Sequence, residues 1–194
     1  MRLLVALLTL SIFAVAPVEA APPEAPMAGA PGFSATDSTG RTVRLSDFAG
    51  KMVVLEWTNP DCPYVKRHYG AGTMRRLADE FSNRGVVWLA VNSSHFVTAE
   101  AMERWRGAHG LSYPVLLDPA GEIGRAYGAK TTPHMFVLDA SHRIVYSGAI
   151  DDDPHGDAKA AANYVAAVLE SLTKNQPVSV ASTKPYGCSV KYRG

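Results

Sequence analysis

The stretch from Met52 to Val65 constrains this chain more than any other. Met52-Val53-Val54-Leu55 is a short apolar run, Thr58-Asn59-Pro60-Asp61 is turn-forming, and Cys62-Pro63 opens a new element. Proline suits the first helical position, where its missing N–H removes no hydrogen bond. The stretch therefore predicts a strand, a turn and a helix that starts at Cys62-Pro63. A cysteine placed there faces unpaired backbone N–H groups and the positive end of the helix dipole. Both favour the thiolate, the reactive form of sulfur. Cys62 is thus the candidate nucleophile. A buried structural cysteine is the competing reading, and cysteine count alone would favour it.

The rest of the chain sets the context for that thiol. Residues 1–20 join Arg2, the apolar run Leu3–Ala16 and Val18-Glu19-Ala20, the pattern of a signal peptide. Pro17, Glu19 and the shortness of the run argue against a membrane span, and no cysteine follows to carry a lipid anchor. The expected location is outside the cytoplasm, periplasmic or extracellular. Residues 21–32 form a Pro/Ala-rich lead-in expected to be flexible, 33–174 a single domain, and 175–194 an irregular tail carrying Cys188. A formal net charge of +1 gives no electrostatic reason to expect nucleic acid or a membrane surface as partner. Cys62 and Cys188 are the only two cysteines, so in an oxidising compartment a disulfide between them must be weighed.

Periodicity fills in the elements. Residues 32–37 and 41–45 flank Ser38-Thr39-Gly40 as a hairpin. After Cys62 a helix runs towards Arg84, with a break expected at Gly70-Ala71-Gly72. Val86–Val91 is continuously apolar, as in a sheet covered on both faces. Thr98 caps a helix to Ala108, Tyr113–Leu117 is a strand, and Gly121–Tyr127 is a short helix ended by Gly128. Met135–Asp139 and Arg143–Gly148 are strands joined by a tight turn, and a last helix is expected from near Asp157. The order implies an α/β domain with a central mixed sheet flanked by helices and an N-terminal β-hairpin.

Within this order, Thr132-Pro133 entering the strand at Met135 resembles the cis-proline loop of the thioredoxin fold. The region from Gly32 to Leu172 resembles thioredoxin-like and peroxiredoxin-like proteins of the alkyl hydroperoxide reductase and thiol-specific antioxidant superfamily. Its carriers are the hairpin with Gly40, the strand to Trp57, Cys62-Pro63, Tyr127-Gly128, Thr132-Pro133 and the hairpin into Gly148. The tail Gly187–Lys191 and Gly148–Asp152 look like an exported, peroxiredoxin-like subgroup. The resemblance implies a thiol-dependent oxidoreductase. Cys62 would be its nucleophile, Cys188 a candidate resolving thiol, and Thr132 and Pro133 the substrate-side backbone. Partners would be protein thiols or disulfides, or small peroxides, with an unidentified reductant and no cofactor.

The departures are specific. Where a thioredoxin has its second cysteine, this chain has Val65. Where a peroxiredoxin has a hydroxyl residue and a shaping proline before its cysteine, this chain has Asn59 and Leu55. Thr58 is the neighbouring hydroxyl, and Thr58 and Asn59 are kept as candidate substrate-binding residues. His134 could assist proton transfer or, with Cys62, hold copper, but a hydrogen-bonded surface histidine is the simpler reading. Lys66 and Arg67 could support a thiolate or merely face solvent, and Asp151-Asp152-Asp153 reads as a turn rather than a cation loop. The alternatives are a non-catalytic copper-binding module and a structural domain in which a static bridge holds the tail.

Overall fold

The computed structural model describes residues 29–158 and 160–194; the predicted signal segment and most of the lead-in lie outside the described residues. Strands β1 (Ser34–Asp37) and β2 (Thr42–Arg44) form the expected hairpin. A 3-10 turn, Leu45–Phe48, leads to β3 (Met52–Trp57). Helices α1 (Pro63–Gly70) and α2 (Thr73–Ser82) follow, then β4 (Val86–Asn92), α3 (Ala99–Ala108), β5 (Val115–Leu117) and α4 (Glu122–Tyr127). The chain continues through β6 (Thr131–Thr132), β7 (His134–Leu138), β8 (Ile144–Gly148), α5 (Tyr164–Thr173) and β9 (Cys188–Ser189).

The main sheet has the order β2-β1-β5-β4-β3-β7-β8. β3, β4 and β5 are parallel, β7 runs against β3 and β8 against β7, and so the sheet is mixed as predicted. The apolar strands alternate between two buried layers. Val54, Trp88, Ala90 and Val137 join Met74, Phe81, Met102 and Leu169 on one face. Val53, Leu55, Trp57, Leu89 and Phe136 join Ile123 and Tyr127 on the other. Both faces are covered, which is why β3 and β4 read as continuous rather than alternating hydrophobic runs.

Local chemistry explains the boundaries. Gly72, at φ 68°, caps α2 in the left-handed region, so the break after α1 falls where the glycines stand. Thr98 accepts the Ala101 N–H at the start of α3. The last helix starts later than expected, at Tyr164, where the Asn163 side chain caps it by accepting the Ala166 N–H. The residues before it are diverted into a loop because Asp152 and Asp153 accept backbone N–H groups from Ala162, Gly156 and Asp157. The described end of the lead-in is tied down: Ala30 donates to His142 O at 2.9 Å, and Pro31 O accepts from the Tyr127 hydroxyl at 2.8 Å.

Candidate active site

The sheet register brings the site together. Trp57, the last residue of β3, pairs with His134, the first of β7. The loop leaving β3 and the loop entering β7 therefore emerge side by side. Cys62 caps α1 in an extended conformation, with Pro63 as the first helical residue. Its Sγ lies 2.9 Å from the carbonyl oxygen of Thr132, although the two are 70 residues apart in sequence. The Thr132-Pro133 peptide bond is cis.

Cys188 arrives at the same point from the tail. β6 and β9 form a small antiparallel sheet of their own, with Thr132 opposite Cys188 and Thr131 opposite Ser189. Both cysteines are free thiols, Cys62 buried and Cys188 half-buried. Burial pushes the Cys62 thiol up, but the Cys188 thiol, the Thr132 side chain and the Val65 amide favour its anion and outweigh burial. Its pKa is therefore below the ordinary cysteine value. Cys188 is driven the other way, up to about 11, by burial and by its hydrogen bond and proximity to Cys62. The two displacements are opposed, so Cys62 is the more readily ionised of the pair.

The remaining candidates fall into place around this pair. Asn59 accepts the Asp61 N–H on its side-chain oxygen and the Cys62 N–H on its carbonyl, so it shapes the loop that presents the cysteine. Thr58 is buried, its hydroxyl has no hydrogen-bond partner, and none joins it to Cys62. His134 is buried rather than at the surface, and the reading of it as hydrogen-bonded is what the contacts show: Nδ1 accepts from the Lys130 N–H at 3.2 Å and Nε2 lies 3.2 Å from Ser147 Oγ. Burial, aided by Lys130, pulls its pKa down to about 4. It is a neutral ring with both nitrogens engaged, unsuited to serve as base or copper ligand. Lys66 is exposed, whereas Arg67 turns away from the thiol to the carbonyls of Asp153 and Pro154.

Sequence reading missed two groups. Glu56 is fully buried on the α1–α2 face of β3, accepts the Trp88 indole N–H at 2.9 Å, and leaves its other oxygen without a partner. Burial pushes its carboxyl up to about 7, against the lowering effect of Trp88. A lone charged residue inside an apolar strand was the available signal. The second group is Tyr186, whose hydroxyl bonds the carboxylate of Asp151 and lies 2.9 Å from His68 Nε2, with Arg67 at 3.3 Å. Nothing local in the tail marks it.

A mixed sheet, a thiol at a helix start and a cis-proline loop beside it define a thioredoxin-like protein. Within that class the chain belongs to the AhpC/TSA family, whose profile matches residues 27–147. It is similar to the thiol-disulfide oxidoreductase ResA of Bacillus thuringiensis subsp. konkukian (strain 97-27), with 28% identity over 60% of this chain and 65% of that protein. The chain thus spans just under two thirds of the length of the curated relatives it matches. Among solved structures, a hypothetical protein from Sinorhizobium meliloti 1021 superposes with a TM-score of 0.80 at 25% identity, covering 88% of this chain and 96% of the other. A thiol:disulfide interchange protein from Bacteroides sp. shares the fold at a TM-score of 0.55 and 20% identity, over 63% of this chain and 80% of the other.

Proposed function

We propose that this protein is a thiol–disulfide oxidoreductase working outside the cytoplasm, with Cys62 as nucleophile and Cys188 as resolving thiol. The observation that carries this reading is the meeting of the two cysteines at Thr132: Cys62 Sγ lies 2.9 Å from its carbonyl oxygen, and Cys188 pairs with it across β6 and β9. The kinship with ResA supports the reaction class, and the signal-like residues 1–20 support export.

The Cys62 thiolate attacks one sulfur of a partner disulfide. A bond forms between Cys62 and that sulfur, and the other partner sulfur leaves as a thiolate. Cys188 then gives up its proton and attacks the Cys62 sulfur. The partner is released as a dithiol, reduced by two electrons, and the chain is left with a Cys62–Cys188 bridge. Run backwards, the same steps oxidise a partner dithiol. Resetting the bridge requires an external dithiol.

Peroxide is a poorer substrate on this geometry. Asn59 spends its acceptor oxygen on the loop and Thr58 is sealed in the core, so neither supplies the hydroxyl that would hold a peroxide. The test is to mix the reduced protein with a small aryl disulfide and map the products by mass spectrometry. The expected result is a linked Cys62–Cys188 peptide, with Cys188→Ser stalled as a mixed disulfide on Cys62. A chain whose Cys62 fails to react, or whose Cys188→Ser variant releases reduced product as fast as the parent, would overturn the reading.

A further inference from the structure

The tail is seated as a ligand strand. Beyond the β6–β9 pairing, the Val190 N–H donates to Lys130 O at 3.1 Å and the Tyr192 hydroxyl to Ala129 O at 2.9 Å. The seat has shape on the N-terminal side of the cysteine. The Tyr186 ring sits 5.8 Å from Tyr64 and 6.1 Å from His68, with the Arg67 guanidinium 5.7 Å from its centroid. Between Tyr186 and Cys188, Gly187 has φ 137°, and a Cβ added there would overlap the Thr132 carbonyl oxygen. The seat therefore reads three consecutive positions: an aromatic ring, no side chain at all, and a thiol. Strand addition works this way, with main-chain bonds supplying affinity and flanking pockets supplying sequence preference.

Two facts set this seat against the chemistry of the site. Cys62 is only 2% exposed with the tail in place, so a protein disulfide has no route to it. The tail strand itself is only two residues long and stands in a sheet apart from the main one. We propose that the tail is an exchangeable occupant, and that its seat is the docking surface for a partner's extended segment of the same kind: an aromatic residue two before the reactive cysteine, with glycine between them. The proposal rests on the thiol–disulfide reading and adds the partner's sequence class. The partner strand takes the tail's place opposite Thr132, its cysteine sulfur is attacked by the Cys62 thiolate, and its other sulfur leaves as thiolate. The returning tail then brings Cys188 to break the Cys62–partner bond, so the partner departs as a dithiol.

The probe is a synthetic peptide of residues 183–193 with its cysteine capped as a mixed disulfide by a chromogenic aryl thiol. It is mixed with the reduced full chain bearing Cys188→Ser, and release of the aryl thiolate is timed. The parent peptide should react roughly tenfold faster than peptides carrying Tyr186→Ala or Gly187→Ala, the scale of one lost aromatic contact. Equal rates for the three peptides would overturn the proposal. In a chain that also carries Gly187→Ala, whose own tail cannot seat, the parent peptide should react faster still. An unchanged rate there would show that the tail does not compete, and would overturn the exchange. Failure to react even with the small aryl disulfide would instead sink the thiol–disulfide reading on which this rests.

Discussion

At Cys62 ionisation is favoured chiefly by a neighbouring thiol rather than by a lysine or histidine. Among the influences that lower its pKa, the Cys188 side chain is the largest. The pH midpoint for alkylation of Cys62 is therefore expected below the ~8.5 of a free cysteine. It should rise in Cys188→Ala, which removes the donor, and rise less in Cys188→Ser, which keeps an O–H. A midpoint at or above the free value in the parent protein would contradict the site as described. Peroxide chemistry belongs to the same scale. An aimed donor is worth about 2.7–4 kcal/mol of barrier in an analogous oxyanion site, and the Thr58 hydroxyl, buried and without a partner, is not joined to Cys62 to serve as one. The expected rate of Cys62 oxidation by hydrogen peroxide is that of an ordinary thiolate; a stopped-flow rate orders of magnitude higher would refute this. Cys62 and Thr132-Pro133 were legible in the sequence because their signals are local: a proline after a cysteine at a strand end, and a Thr-Pro before a strand. Glu56, Tyr186 and Gly187 were not, because their meaning lies in partners far away in the chain.

Between elements, α1 does two jobs from one helix. Its first residue is capped by the nucleophile, and its second turn holds the tail through Arg67 and His68. The tail beyond Asn175 has the irregular backbone its prolines and glycine suggest, but from Tyr186 to Tyr192 it is bound at nearly every residue, and no pattern in the sequence could show that a two-residue strand would pair with β6. Tyr186→Phe keeps the ring contacts and deletes the hydroxyl that joins Asp151 and His68. Loss of such a bond costs about 1 kcal/mol, which predicts roughly fivefold faster alkylation of Cys62 in the folded protein. Unchanged protection of the thiol would show that the hydroxyl does not hold the tail. The late start of α5 has a similar lesson: the loop before it is made by aspartate side chains turning back on backbone N–H groups, a choice that helical periodicity does not register.

Across the whole molecule, two buried groups with opposed displacements shape stability. Glu56 is raised to about 7, so its stabilising protonated form is lost as pH rises from its unfolded value towards 7. His134 is lowered to about 4, so the fold loses stability as pH falls from the unfolded histidine value towards 4. Glu56→Gln, which can still accept from Trp88, should be nearly neutral at pH 4.5 and gain stability relative to the parent as pH rises, reaching roughly 3 kcal/mol above pH 7. Urea unfolding across this range is the measurement, and a gain that does not grow with pH would place the burial cost elsewhere.

The meeting of residues 62 and 188 also ties the fold to its redox surroundings. Closing a loop of that size in an unfolded chain costs about 5 kcal/mol in the chain-entropy account, whereas the native fold already holds the two sulfurs together. By linkage, the bridge formed in the proposed cycle stabilises the fold by that amount, and the fold stabilises the bridge equally. The reduction potential of the folded protein should then lie roughly 100 mV below that of the same pair in the unfolded chain. Melting the protein in buffers of graded dithiol-to-disulfide ratio should trace this potential directly, with the midpoint temperature stepping down where the bridge opens. A midpoint insensitive to that ratio would mean the two sulfurs never bond. If the step is found, heat resistance in this protein is a report on the oxidants around it.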